Sequence, residues 1–112
     1  GKFQLIQEML YNMNVLIETG RLLGYKAIHA IAKGSPEARR LSSMAKVYCG
    51  EAAVKVTYDA IQIHGGLGLS DEMPLERYYR DARMMTIPDG TSEIMKLITG
   101  YTILGKGFAA YA

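Results

Sequence analysis

Apolar residues recur at alternating steps of three and four along the first third of the chain: Phe3, Ile6, Leu10, Met13, Ile17, Gly20, Gly24, Ala27 and Ile31. That spacing puts them on one stripe of a long helix packed at a shallow angle against a neighbour. Gly20 and Gly24 each cost roughly 1 kcal/mol against alanine inside a helix, so both are expected where another backbone comes close. Lys33 and Gly34 close the helix with a cation and a glycine. Ser35, Pro36 and Glu37 then open a second one with a cap residue, a proline at the first helical position and an acid near the positive dipole end. Its stripe runs through Ala38, Leu41, Ala45, Tyr48, Ala52, Val56, Ala60 and Ile63, small enough on the whole for close packing.

The second helix runs into AIQIHGGLGLSDEMP, residues 60–74, where a double glycine is followed by an expected flexible loop. Pro74 opens a short helix, PLERYYRDAR, in which Glu76 and Arg80, and Arg77 and Asp81, stand four apart and are expected to pair. TIPDG, residues 86–90, reads as a turn, with Pro88 presetting its angle and Gly90 tolerating an unusual one. A final helix from about Thr91 carries Ile94, Leu97, Ile98, Tyr101 and Leu104 on one side and stops near Gly105 and Gly107. No stretch alternates with period two. The pattern predicts an all-α, antiparallel up-down helical bundle of three long helices and one short one, a single domain over residues 1–112.

Composition narrows the function classes. Apolar content of 49% fits a globular core, and no run approaches the ~18 apolar residues of a membrane-spanning helix. The lone cysteine, Cys49, has no internal partner, so nothing points to an oxidising compartment. GKFQLIQEML shows neither signal-peptide nor transit-peptide character. With no opening methionine, the chain is expected to be processed or cut from something longer. A net charge of +2, with Lys and Arg dispersed among acids, argues against a nucleic-acid surface.

Three places carry candidate chemistry. Gln62–Gly66 reads either as a helix ending with polar residues in its last turn, or as backbone cleared for a ligand beside an amide that both donates and accepts. GGLG is no Rossmann or phosphate-loop fingerprint, because it follows a helix and no strand precedes it. His29 and His64 lack companion acids at ligand spacing, so no metal site is expected. Cys49, without a basic neighbour, reads as a small core residue. Asp89 reads either as a helix cap or as a carboxylate facing a pocket at a helix start. Thr91 and Ser92 are caps or hydroxyls serving a phosphate or a flavin.

In sequence, QIHGGLGLSDEMPLERYYRDARMMTIPDGTSEI resembles the C-terminal signature of the acyl-CoA dehydrogenase family. That signature is a Q-x-x-GG-x-G run, a P-x-E-R-x-x-R-D-x-R block and an acid-G-T-x-x-I segment, here in the same order. FQLIQEML and RLLGYKA resemble the start of the same family's C-terminal helical domain, so the likeness spans essentially the whole chain. It implies an FAD enzyme in which a carboxylate removes the α proton of an acyl-CoA while the β hydrogen passes as hydride to the flavin. By that resemblance Asp89 aligns with the catalytic base and Gly90 lies beside the thioester. Gln62, Ile63, His64, Gly65 and Gly66 would contact the FAD of a neighbouring subunit around its adenosine and pyrophosphate. Phe3, Gln4, Thr91, Ser92 and Glu93 also match FAD-contacting positions.

The resemblance further implies a homo-oligomer, dimer or tetramer, an electron-transfer acceptor, and a location in the bacterial cytoplasm ahead of the mitochondrial matrix. Two positions depart from the family pattern. Aspartate replaces the commoner glutamate base, and Pro88 stands where an aromatic residue is frequent. A shorter base suits a substrate held nearer the turn, or one of unusual shape such as a cyclic acyl group. The family's N-terminal helical and middle β domains have no counterpart within these 112 residues, so the chain alone is expected to be inactive. The alternative function is a non-catalytic helical self-association module.

Overall fold

The computed structural model describes residues 2–109, so the domain expected over 1–112 extends past them at both ends. Among these residues every regular element is helical. Helix α1 spans Gln4–Ala32 and α2 spans Ala38–His64, joined by a turn in which Gly34 adopts φ +61°. A 3-10 turn over Gly65–Leu69 leads to α3, Leu75–Met84, and α4 follows at Ser92–Leu104. A last 3-10 turn covers Lys106–Phe108.

Every other α-helix packs on α2, and α1, α3 and α4 do not pack on one another. Helix α1 lies antiparallel to α2, with Gly20 opposite Cys49 and the Cys49 thiol donating to the Gly20 carbonyl at 3.4 Å. On another side of α2, α3 runs back from the C-terminal end, its Tyr79 ring 6.4 Å from that of Tyr58. The chain then turns beside Gly50, and α4 continues in the same direction. Lys96 Nζ bonds Glu51 at 2.6 Å, and Arg39 lies over the Tyr101 ring. The short helix and the last one, of 10 and 13 residues, thus form a single interrupted rail antiparallel to α2. The up-down arrangement is the expected one, but only α1 and α2 are long.

Small residues on α2 set these approaches. A Cβ on Gly50 would stand 3.4 Å from Thr86 Cγ2 and 3.6 Å from the Met85 carbonyl, so the break between α3 and α4 fits against this one position. The expected α2 stripe holds throughout, with Leu41, Ala45 and Ala52 buried. The α1 stripe needs correction: Met9, Leu16, Leu23 and Ala30 turn inward, while Leu10, Ile17 and Ile31 are exposed. Of the two glycines expected beside another backbone, Gly24 has nothing within 4 Å of the place a Cβ would occupy, and Gly20 faces side chains instead, Cys49 Sγ at 3.5 Å and the Tyr48 ring. On α4, Ile94, Leu97 and Leu104 likewise face outward. Both helices carry apolar residues on two faces, so periodicity alone does not choose between them.

Local signals were met with small shifts. Ser35 Oγ accepts from the Glu37 N–H at 3.2 Å, but α2 becomes regular only at Ala38. Glu76 and Arg80 pair at 2.9 Å, as spaced. Arg77 does not close on Asp81; its guanidinium lies over the Tyr78 ring. The double glycine and Leu67–Leu69 form the 3-10 turn, packed on both α2 and α3, and residues 70–74 make the non-regular connection on to Pro74.

The resulting body measures 51 × 23 × 23 Å and exposes 7940 Å². A folded monomer of this mass ordinarily exposes about 6,100 Å². Its most buried apolar residues are mostly alanines, and Leu5, Leu22, Tyr25 and Ile28 are each more than 60% exposed. Contiguous apolar surface of this kind marks a face built to be covered. The isolated chain is therefore expected to self-associate, and sedimentation showing only monomer at micromolar concentration would contradict it. At the α2 break, Gly50→Ala should be neutral or stabilise by up to about 1 kcal/mol through helix propensity. Gly50→Leu should destabilise by about 1–3 kcal/mol through overpacking. Urea melts of the two variants check the opposite signs.

Candidate functional site

The expected site residues fall into two groups. The first gathers at the end of α2. Gln62 and His64 are exposed there, and Ile63 is half-buried. His64 Nδ1 bonds the Ala60 carbonyl of its own helix at 2.8 Å, which makes Nδ1 the donor and turns Nε2 outward. The Gln62 side-chain amide makes no hydrogen bond within the described residues. Because α1 and α2 are antiparallel with Gly20 opposite Cys49, Phe3 and Gln4 at the start of α1 come to this same end of the bundle. Phe3 is 75% exposed.

The three glycines of GGLG have different causes. Gly65 ends α2 with φ +59° and ψ −146°, a conformation essentially confined to glycine. Its N–H bonds the Gln62 carbonyl, and a 3-10 turn follows in place of a Schellman ending. Gly68 is buried, and a Cβ there would come within 2.9 Å of the Ile61 carbonyl oxygen. Gly66 has neither reason: its φ is ordinary and nothing lies within 4 Å of where a side chain would start. Of the pair, only the first is required by this chain.

The second group is the turn between α3 and α4. Asp89 takes φ +56°, the one non-glycine residue with positive φ among those described, and Gly90 takes φ +95°. Two successive left-handed residues throw the chain out from α2 and back, and the Ser92 N–H closes the loop on the Thr86 carbonyl at 3.1 Å. Asp89 does not cap α4. Thr91 does, its Oγ accepting from the Ile94 N–H at 3.4 Å. The Asp89 carboxylate is exposed and has no hydrogen bond or ion pair within the described residues. Glu93 is held below the ordinary carboxylate range, first by its own main-chain N–H and then by the Thr91 hydroxyl, with Lys96 and Arg83 adding charge.

Beside the turn lies an open cleft of about 470 Å³ lined by Glu51, Val54, Arg83, Thr86, Ile87, Thr91, Ser92 and Glu93. Thr91, half-buried, and Ser92, buried, thus stand at its wall, while Asp89 is not among its lining residues. Residues that sequence reasoning passed over complete this region. Arg83 on α3 donates to the Thr86 hydroxyl, and Lys46 on α2 donates to the carbonyls of Pro88 and Gly90. No spacing signal links Lys46 to a turn more than forty residues away. Cys49, away from this cleft, has its thiol pushed up by burial, in keeping with a packing role.

The two groups are not brought together. The turn lies beside Lys46 and Gly50, and Gln62 lies about 24 Å further along α2 at 1.5 Å per residue. No group of three or more His, Cys, Asp or Glu side chains that could hold a metal gathers among the described residues. None of the described helices is long and apolar enough to cross a membrane.

These motifs and this architecture have close counterparts. The family profile described as acyl-CoA dehydrogenase, C-terminal domain, matches residues 1–104. The chain is 44% identical over 107 residues to 3-sulfinopropanoyl-CoA desulfinase of Paraburkholderia xenovorans, covering 95% of this chain and 27% of that protein. It is 45% identical over 97 residues to the mitochondrial short-chain specific acyl-CoA dehydrogenase of Rattus norvegicus, covering 87% of this chain and 23% of that one. The solved structure of butyryl-CoA dehydrogenase from Megasphaera elsdenii superposes with a TM-score of 0.89 at 38% identity, over 93% of this chain and 27% of its own. The chain spans about a quarter of the length of these curated relatives. It belongs to the acyl-CoA dehydrogenase family, as that family's C-terminal helical domain.

Proposed function

We propose that this chain, as a single domain over residues 1–112, serves an FAD-dependent enzyme that oxidises an acyl-CoA thioester between its α and β carbons. The observation that carries this is Asp89. A carboxylate held at φ +56°, unpaired and not needed as a helix cap, has no structural employment among the described residues. Left-handed backbone costs a non-glycine residue about 1–2 kcal/mol, less for aspartate, and persists where the surroundings hold it. Asp89 takes the α proton of the substrate. Its main-chain N–H, also without a partner, donates to the thioester oxygen as charge develops there. Gly90, at φ +95°, lets the chain turn beside the thioester, and the end of Met95 packs where a side chain at Gly90 would start.

The chemistry that FAD would supply, when bound, is an acceptor for the β hydrogen and its electron pair. Thr91, Ser92 and Glu93 bound the cleft in which the flavin ring end would lie, with hydroxyls and main-chain N–H groups at the start of α4. The α2 end fits the other end of a dinucleotide: the bare Gly66 backbone admits close approach, and the free Gln62 amide and outward His64 Nε2 offer polar contacts. Ile63, Gly65, Phe3 and Gln4 complete that surface. The roughly 24 Å between the groups supports their serving two different flavins, the α2 end reaching the flavin of a neighbouring subunit. Self-association through the exposed apolar faces is then part of cofactor binding. The complete enzyme passes its electrons to an external electron-transfer protein, in the bacterial cytoplasm or the mitochondrial matrix.

A second chemistry is favoured by the 44% identity to 3-sulfinopropanoyl-CoA desulfinase. There the same turn would act on an acyl-CoA that loses a sulfinate group. Release of sulfite, formed as the carbon–sulfur bond breaks and water takes up the departing sulfur dioxide, with the flavin spectrum unchanged would identify it.

In the complete enzyme, Asp89→Asn keeps size and tolerance of left-handed backbone but removes the base. Single-turnover flavin reduction by substrate should fall roughly a hundredfold or more, with FAD content unchanged. Reduction near the unaltered rate would move the base outside this chain. The isolated chain should retain no FAD through gel filtration, because it lacks the walls that exclude water from the flavin. A yellow chain bleached by an acyl-CoA would overturn that.

A further inference from the structure

Resting on the reading of the Asp89 turn as the reaction site, we infer that Lys46 is its positioning residue, aiming the Asp89 N–H at the substrate without touching substrate itself. Lys46 stands half-buried on α2, one helical turn before Gly50. Its ammonium donates to the Pro88 carbonyl at 2.5 Å and also to the Gly90 carbonyl. These two oxygens belong to the peptide units on either side of the Asp89–Gly90 pair.

The consequence comes from peptide geometry. All peptide bonds here are trans, and in a trans peptide the N–H points opposite to the C=O. Drawing the Pro88 and Gly90 oxygens to one ammonium on α2 therefore turns the N–H groups of Asp89 and Thr91 away from α2. Neither N–H donates to any described residue. Two unpaired donors facing one way are an oxyanion-binding arrangement, provided that something fixes the peptide planes before reaction. The loop closes on itself only at its base, through Ser92 and Thr86. At its tip, Lys46 is the hold.

What Lys46 leaves alone matters equally. It forms no ion pair with the Asp89 carboxylate, because its hydrogens go to main-chain oxygens. A lysine paired with that carboxylate would weaken it as a base. A lysine gripping the frame orients the turn and keeps the carboxylate free. Charge-assisted bonds to two carbonyls also exceed ordinary ones in strength, which suits a segment carrying two successive left-handed residues.

The test uses the complete flavin-loaded enzyme and three variants. One readout is single-turnover flavin reduction by substrate. The other is the infrared carbonyl stretch of a bound, carbonyl-labelled acyl-CoA analogue that cannot be oxidised, which reports donation to the thioester oxygen. Lys46→Met, with flavin content and thermal melt confirming the fold, should slow reduction about ten- to a hundredfold and return the stretch toward its value in water. Asp89→Asn should slow reduction roughly a hundredfold or more yet keep the shifted stretch, because its N–H remains. Lys46→Arg keeps the charge and offers two donors, so it should retain the shift and most of the rate. It also serves as the deciding variant if the methionine protein does not fold. A folded Lys46→Met enzyme with the shift intact and the rate within about twofold overturns the inference while leaving Asp89 as base. A folded Lys46→Arg enzyme that loses rate but keeps the shift assigns Lys46 to structure alone and overturns it as well. If Asp89→Asn reduces flavin normally, the base reading fails, and the carbonyl stretch in Lys46→Met still decides whether Lys46 aims the turn.

Discussion

Close approach along α2 is the constraint on which the rest of the structure depends. Leu41, Ala45 and Ala52 lie buried on it, and Gly50 leaves room for the main chain of Met85 and the side-chain methyl of Thr86 to come close. A larger residue at that place would lift the end of α3, and with it the turn that carries Asp89. Lys46, four residues earlier on the same helix, reaches the tip of that turn. One stretch of α2 therefore supplies the depth, direction and grip of a loop contributed by a segment forty residues away. The loop gains its shape from the helix it leans on more than from its own bonds.

Much of this was legible in the residues. Lys33–Gly34 and Ser35–Pro36–Glu37 mark a helix stop and start because capping chemistry is local, and the structure shifts them by only a residue or two. The α2 stripe was legible because α2 is covered on several sides, leaving one consistent inward set. The faces of α1 and α4 were not, since each bears apolar residues both toward α2 and on its exposed side. Leu10, Ile17 and Leu97 satisfy the period as well as Met9, Leu16 and Met95 do.

The site divides along similar lines. The alternatives for Asp89 could not be resolved from sequence, because TIPDGTSE offers both Asp89 and Thr91 as caps. Geometry gives the cap to Thr91 and leaves Asp89 in left-handed backbone. For GGLG, sequence shows three glycines and no reasons. The fold separates a conformational need at Gly65, a packing need at Gly68 and none at Gly66. Lys46 and Arg83 were invisible because each acts through contacts that no short-range period encodes.

That α1, α3 and α4 meet only α2 also bears on how the chain assembles in time. The α1–α2 hairpin closes across a five-residue turn, a short loop that forms early. The α3–α4 segment has no surface to dock on until α2 is helical, so its contacts belong to the late side of the folding barrier. Changes in the middle of α2 then slow folding, whereas changes confined to α4 chiefly hasten unfolding. The segment that carries Asp89 is accordingly the last to arrive and the first to leave.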